Sequence, residues 1–167
     1  DAGCGEGRDT LFLLESGLHV LAIDVCDRSL RMLSRRAEGK GFVQELLDRV
    51  MADIVLGIPI GDSSVDVILD VWLLGSVILR HDGRTGARRY LAEVHRILKP
   101  SGLLVLEFET IRPRRSAKEL RRYVAGLLGE HFAFRLSKAI GADYYRYIQI
   151  AHRGGSHPAL LLVAEKK

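Results

Sequence analysis

The sequence predicts a three-layer α/β fold, with helices packed on a mostly parallel sheet and an antiparallel hairpin at its C-terminal end. Three observations predict it. Short apolar runs of strand character alternate with helix-period segments as far as about residue 109. A glycine turn, Gly3-Cys4-Gly5-Glu6-Gly7, feeds straight into the run Thr10-Leu11-Phe12-Leu13-Leu14, which reads as a helix. Finally, Tyr144–Ile150 and Ala159–Ala164 read as strands on either side of the turn material Arg153-Gly154-Gly155-Ser156-His157-Pro158. That connection is too short for a parallel crossover, so the two strands are expected to pair antiparallel.

The elements follow in order. A helix is expected at Arg8–Ser16, then a strand over 18–24 that ends on Asp24. Asp27 is placed to cap the next helix, 27–38. Strands over 49–53 and 65–71 come next, then a helix over 84–98 and a strand over 102–109. Pro100 is expected to stop that helix and Gly102 to permit the reversal. Pro113 suits the first turn of a helix running to about Leu128. Residues 130–143 stay open between a further helix and a strand, the latter suggested by the alternation in His131-Phe132-Ala133-Phe134-Arg135-Leu136.

The chemistry begins at Asp1-Ala2-Gly3-Cys4-Gly5-Glu6-Gly7-Arg8-Asp9. Glycine tolerates positive φ and lets a ligand approach the backbone, and a helix N-terminus presents free N–H groups with a positive dipole end. The dinucleotide fingerprint G-x-G-x-x-G/A needs a third small residue for helix–strand packing, yet Arg8 occupies that place. This weighs against NAD or FAD. Asp24, at the tip of the second strand, can accept hydrogen bonds from both ribose hydroxyls; the alternative is a solvated turn residue.

Taken with these companions, the opening segment resembles motif I, (D/E)-x-G-x-G-x-G, of the class I S-adenosylmethionine (SAM)-dependent methyltransferases. Arg49-Val50-Met51-Ala52-Asp53-Ile54 resembles the family's third-strand segment, whose terminal Asp meets the adenine amino group. Val65–Trp72 resembles its fourth strand, and Tyr90–Leu106 its helix, Lys-Pro-x-Gly turn and fifth strand. The resemblance runs in order from Asp1 to about Glu107. It implies a Rossmann-like fold and SAM as cofactor. It implies that Asp1 receives the methionine amino group and that the glycine backbone lies along the methionine and ribose. The cofactor-binding set so implied is Asp1, Gly3, Cys4, Gly5, Gly7, Asp24, Val25, Asp53, Ile54 and Asp70. In the family the first, central strand ends at the acid where this sequence starts. The resemblance therefore implies that residues 1–167 are one methyltransferase domain truncated at motif I, without that strand or the helix that often covers the substrate.

Acceptor sites in the family lie beyond the carboxyl ends of strands four and five, which is also where open α/β sheets bind ligands. Candidates there are Asp70, Trp72, His81, Asp82, Arg84, Glu107 and Glu109. Asp70, inside an apolar strand, could be a base of raised pKa, but a structural role bonding backbone N–H groups at the cofactor turn ranks higher. Trp72 could wall a pocket or pack in the core, and His81 could be a base or a solvated loop residue. Tyr144, Tyr145 and Tyr147 could line a pocket or pack the hairpin. The sequence holds no triad and no metal-ligand spacing. Amino-methylating nucleic-acid enzymes of this fold carry Asn/Asp/Ser-Pro-Pro-Tyr/Phe after strand four, whereas Asp70-Val71-Trp72-Leu73 stands there. A Pro-Cys pair for cytosine chemistry is also missing. The segment looks most like the small-molecule methyltransferases, including the tellurite-resistance and thiopurine-like groups. The expected reaction is methyl transfer to a small molecule; the alternatives are an RNA or protein methyltransferase and a non-catalytic SAM-binding remnant.

Bulk properties agree. At 167 residues and 47% hydrophobic content, a sizeable core is available. No apolar run reaches the roughly 18 residues of a membrane span, and no stretch of residues 1–167 reads as a secretory signal. The formal charge of +4 is mild. The arginine clusters Arg35-Arg36, Arg88-Arg89, Arg112–Arg115 and Arg121-Arg122 read as solvated faces, since no aromatic residues interleave with them. Cys4 and Cys26 form no metal or redox motif and read as small buried residues in a cytoplasmic protein.

Overall fold

Two parallel strands carry the first of two compact units, which spans Asp1–Gly61 in this computed structural model; the second spans Asp62–Lys167. The structure describes residues 1–42, 44–80, 83–109, 117–129, 131–140 and 159–167. In the first unit β1 (Val20–Asp24) pairs in register with β2 (Leu47–Met51), Val20 against Leu47 and Asp24 against Met51. Helices α1 (Arg8–Glu15) and α2 (Asp27–Gly39) supply apolar residues three and four apart. Leu11 and Leu14 of α1 and Leu30, Leu33 and Ala37 of α2 cluster with Val20, Ala22 and Leu47. On the other edge of β1 the opening residues run alongside it. Ile23 donates to the Asp1 carbonyl at 3.0 Å, Gly3 and Cys4 donate to the Ile23 carbonyl at 2.8 and 3.0 Å, and Ala2 bridges Ile23 in parallel.

Several boundaries move. β1 starts at Val20, two residues after the expected start, because Leu18 and His19 are exposed. β2 ends at Met51, so Asp53 lies beyond the strand in a turn closed by Leu56 N–H on the Asp53 carbonyl at 2.9 Å. Asp27 is not the cap of α2. Cys26 holds that position without a side-chain bond, and Asp27, the first helical residue, instead pairs with Arg31 one turn on. A short 3-10 turn at Gln44–Leu46 precedes β2.

The second unit contains β3 (Val65–Val71), α3 (Leu73–Arg80), α4 (Arg84–Ile97), β4 (Leu98–Glu109), α5 (Ala117–Leu128), β5 (Phe132–Ile140) and β6 (Ala159–Lys166). Its sheet has the order β3-β4-β6-β5, with β3 and β4 parallel and the other two pairings antiparallel. The stripe Ala87, Tyr90, Leu91, Val94, Ile97 is buried along α4, the spacing expected of one apolar helix face. Leu104, Leu106 and Phe108 of β4 and Leu162 and Ala164 of β6 are buried with it in this unit.

The C-terminal antiparallel pairing holds, but the partner of β6 is β5, Phe132 facing Lys166 and Ile140 facing Ala159. The alternation at 131–136 is therefore a strand, while the strand expected over 144–150 and Pro113 both fall outside the described residues. The α4–β4 turn also differs. The helix ends at Ile97, and Leu98 is already extended, so Pro100 sits within the new strand. The positive φ belongs to Ser101, at 59°. Gly102 is needed for space instead: a Cβ there would lie 2.8 Å from the Lys99 carbonyl oxygen and 3.1 Å from that of Asp66. Helix α3, an apolar run directly after the strand, was not anticipated.

Candidate cofactor and acceptor sites

In the first unit the glycine turn folds onto the end of β1. Gly3, Gly5 and Gly7 all have positive φ, at 70°, 52° and 86°. Gly5 donates its N–H to Asp24 Oδ2 at 2.8 Å, and Cys26 donates its own to Asp24 Oδ1, also at 2.8 Å. One carboxylate thus ties the turn before α1 to the start of α2. The chain after β2 joins the same point, since Ala52 N–H reaches the Asp24 carbonyl at 3.1 Å. Asp53 follows, its carboxylate accepting from the Val55 N–H at 3.0 Å. Asp1 accepts from the hydroxyl of fully buried Thr10 at 2.5 Å. Asp1, Gly3, Cys4, Gly5, Asp24 and Asp53 are thus brought together at the carboxyl end of β1.

Two of the glycines differ in what surrounds them. A Cβ on Gly7 would lie 2.3 Å from Leu33 Cδ1, whereas a Cβ on Gly5 would meet nothing within 4 Å. Gly7 therefore provides the close helix packing that Arg8 could not; Arg8 itself pairs with Asp9 at 2.7 Å. Gly5 borders open space. Gly7→Ala is expected to cost about 1–3 kcal/mol of folding stability through overpacking and its φ. Gly5→Ala should lose only about 1–2 kcal/mol from its φ, but should weaken cofactor binding more than Gly7→Ala does. Urea unfolding and calorimetry with S-adenosylhomocysteine separate the two; unchanged cofactor affinity in Gly5→Ala would mean the ligand does not use that space.

The two cysteines part company. Cys4 is buried, and burial followed by the Asp24 charge pushes its thiol up to about 12. Cys26 is exposed, contrary to expectation, and hydrogen bonds from Ser29 lower its thiol below the usual value. Val25, Met51 and Leu56 leave large apolar side chains exposed around the ends of β1 and β2, at 63%, 63% and 81%. Met51 and Leu56 were missed from sequence because nothing local marks an apolar residue as uncovered. Ile54 is buried.

In the second unit the ends of β3 and β4 carry the remaining candidates. Asp70 is fully buried and accepts from the Leu73 N–H at 2.9 Å, the Leu74 N–H at 3.2 Å and the Tyr90 hydroxyl at 2.7 Å. Its backbone donors thus belong to α3, not to the glycine turn. Burial raises its carboxyl to about 6, with those three bonds opposing the rise. Tyr90 is pushed well above its ordinary value by burial and then by the Asp70 charge, so it donates as a neutral phenol. Trp72 is half-buried at φ 67°. Its N–H donates to the Glu107 carbonyl and its indole Nε1–H to Glu107 Oε1, both at 3.0 Å. A bulky residue in the left-handed region costs on the order of 1–3 kcal/mol and persists only where neighbours over-determine it. Arg84, exposed at the start of α4, lies over the Tyr123 ring with 5.6 Å to its centroid. Glu109 ends β4. His81, Asp82, Tyr144, Tyr145 and Tyr147 fall outside the described residues. Among the described residues no group of three or more His, Cys, Asp or Glu side chains could hold a metal ion, and no helix is long and apolar enough to cross a membrane.

A parallel strand pair with a glycine turn leading into a helix and an acid, Asp24, at the tip of β1 defines a Rossmann-like fold. The chain belongs to the methyltransferase domain family, whose model matches residues 1–106. It is a class I SAM-dependent methyltransferase, and S-adenosylmethionine is its cofactor. Among solved structures it is similar to a SAM-dependent methyltransferase from Methanosarcina mazei, with 20% identity, a TM-score of 0.79 and coverage of 99% of this chain and 90% of that one. It is also similar to the 1,6-didemethyltoxoflavin-N1-methyltransferase of Burkholderia thailandensis, with 25% identity, a TM-score of 0.70 and coverage of 100% and 69%. A TehB-like SAM-dependent methyltransferase from Corynebacterium glutamicum matches at 22% identity and a TM-score of 0.65, with coverage of 100% and 78%. No curated protein matches the chain.

Proposed function

We propose that this protein transfers the SAM methyl group to a small-molecule acceptor in the cytoplasm. The observation that carries the acceptor class is Asp70-Val71-Trp72-Leu73 at the end of β3, where amino-methylating nucleic-acid enzymes of the fold carry a Pro-Pro tetrapeptide. The Burkholderia relative, named for methylation of 1,6-didemethyltoxoflavin, supports the same class. The two free cysteines suit a reducing compartment. The reading counts residues 1–167 as one domain, since the family match crosses from the first unit into the second.

The residues of the first unit fit the cofactor. Asp24 retains lone pairs on both oxygens for the ribose hydroxyls after accepting from Gly5 and Cys26. Asp1 takes the methionine amino group, and the backbone of Gly3, Cys4, Gly5 and Gly7 lies along the methionine and ribose. Asp53 meets the adenine amino group, and Val25 and Ile54 border the base with the exposed apolar surface of Met51 and Leu56. Asp70 serves the site by fixing the start of α3. SAM, when bound, supplies an electrophilic methyl group; the protein's part is to hold the reactants in line and exclude water.

Calorimetry tests the cofactor reading. Saturable binding of S-adenosylhomocysteine with no response to NADH is the expected result, and the reverse pattern overturns it. A salt-sensitive RNA gel shift would instead favour a nucleic-acid acceptor.

A further inference from the structure

Trp72 and Glu107 are two costly features joined to each other. A tryptophan at φ 67° stands where glycine would fit without strain. Glu107 is only 3% exposed, and burying a carboxylate is expensive unless it is matched. The turn holding Trp72 is fixed from three sides. Its N–H reaches the Glu107 carbonyl at 3.0 Å, its carbonyl accepts from the Ser76 N–H and hydroxyl, both at 3.2 Å, and its indole N–H is held by Glu107 Oε1 at 3.0 Å. These bonds set the backbone and the ring plane together. The pair sits at the carboxyl ends of adjacent parallel strands, Val71 standing opposite Glu107, where open α/β sheets bind their ligands. Trp72 is half-buried, unlike fully buried Leu74 two residues on.

We propose that Trp72 is a specificity-determining wall of the acceptor site and that Glu107 is the positioning residue that fixes its ring. The site then selects flat aromatic or heteroaromatic acceptors over saturated ones of equal size, because an oriented indole plane rewards stacking. This rests on the methyltransferase reading above and narrows its substrate class.

The test uses the full chain saturated with S-adenosylhomocysteine and two neutral probes of one carbon skeleton, 1-naphthol and decahydro-1-naphthol, titrated by ligand-observed NMR. The wild type is expected to prefer 1-naphthol by about three- to tenfold, the range for an oriented aromatic pair. Trp72→Leu should abolish the preference while its S-adenosylhomocysteine affinity stays within about twofold. Glu107→Gln keeps an acceptor for the indole N–H and should retain the preference; Glu107→Leu removes it and should lose most of the preference. This rescue by glutamine is something general loss of packing would not produce. Absence of any preference in the wild type, or its survival in Trp72→Leu, overturns the inference and leaves methyl transfer standing. Failure of the wild type to bind S-adenosylhomocysteine at all overturns both.

Discussion

Replacing Asp70 with alanine is expected to cost about 3–5 kcal/mol of folding stability, the range for breaking a buried charged network. The carboxylate is fully buried and is the acceptor for the Leu73 and Leu74 N–H groups and the Tyr90 hydroxyl. Alanine would strand all three donors and leave a void beneath α3. Asp70→Asn keeps the volume and one acceptor, and should cost about 1–3 kcal/mol. The pH dependence has a definite sign. Burial raises the Asp70 carboxyl from 3.8 to about 6 in the folded protein, so between those values the folded state holds more protons than the unfolded one. The contribution is fully present below the unfolded value and is lost as pH rises through the folded one. Relative to Asp70→Asn, which does not titrate, the wild type should therefore lose stability between about pH 4 and 6, by on the order of 3 kcal/mol. Urea unfolding of both proteins across that range measures it. A constant difference would show that Asp70 ionises as an ordinary carboxylate.

Asp24→Ala is expected to lose about 2–4 kcal/mol of cofactor affinity, roughly 30- to 1000-fold. The anchor that binds the Gly5 and Cys26 N–H groups disappears, and with it the two charge-assisted bonds that the proposed ribose contact would use. From the sequence alone, Asp24→Asn is the mild change, since one acceptor remains. The structure reverses that expectation. Each oxygen holds its own backbone N–H, so the amide NH2 of asparagine must face one of these donors. Asp24→Asn should accordingly approach Asp24→Ala in its loss of affinity. Calorimetry with S-adenosylhomocysteine on folded variants checks this, and unchanged affinity in Asp24→Ala would remove the residue from the site.

Legibility in the sequence followed the range of the interactions. The strand over 65–71 was expected with the limits it has, and α4 begins at Arg84 as expected. Both are set by local periodicity and by turn residues beside them. The convergence of the glycine turn and Asp24 was legible for the same reason, since strand, turn and helix succeed one another within a short span. The start of α2 at Asp27 was legible, but its cap was misassigned, because Cys26 holds that position and its N–H is taken by Asp24. The partner of β6 was misread because a hairpin with a short connection was assumed, whereas the register joins Phe132 to Lys166.

What the sequence by itself determined is the class of fold and the approach of the glycine turn to Asp24. Alternating apolar periods, three spaced glycines and an acid closing a strand are local patterns, and local patterns constrain the backbone before anything packs against it. Only the tertiary structure decided what Trp72, Asp70 and Gly102 do. Trp72 adopts a positive φ because Glu107, from the neighbouring strand, holds both its backbone and its indole. Asp70 is a buried acceptor because Tyr90 arrives from α4. Gly102 is hemmed in on one side by the local Lys99 carbonyl, 2.8 Å from where its Cβ would be, and on the other by the Asp66 carbonyl of the neighbouring strand at 3.1 Å, and it is this second wall that the tertiary structure adds. Each of these depends on which segment comes alongside, a property of strand pairing and helix docking that no window of neighbouring residues contains.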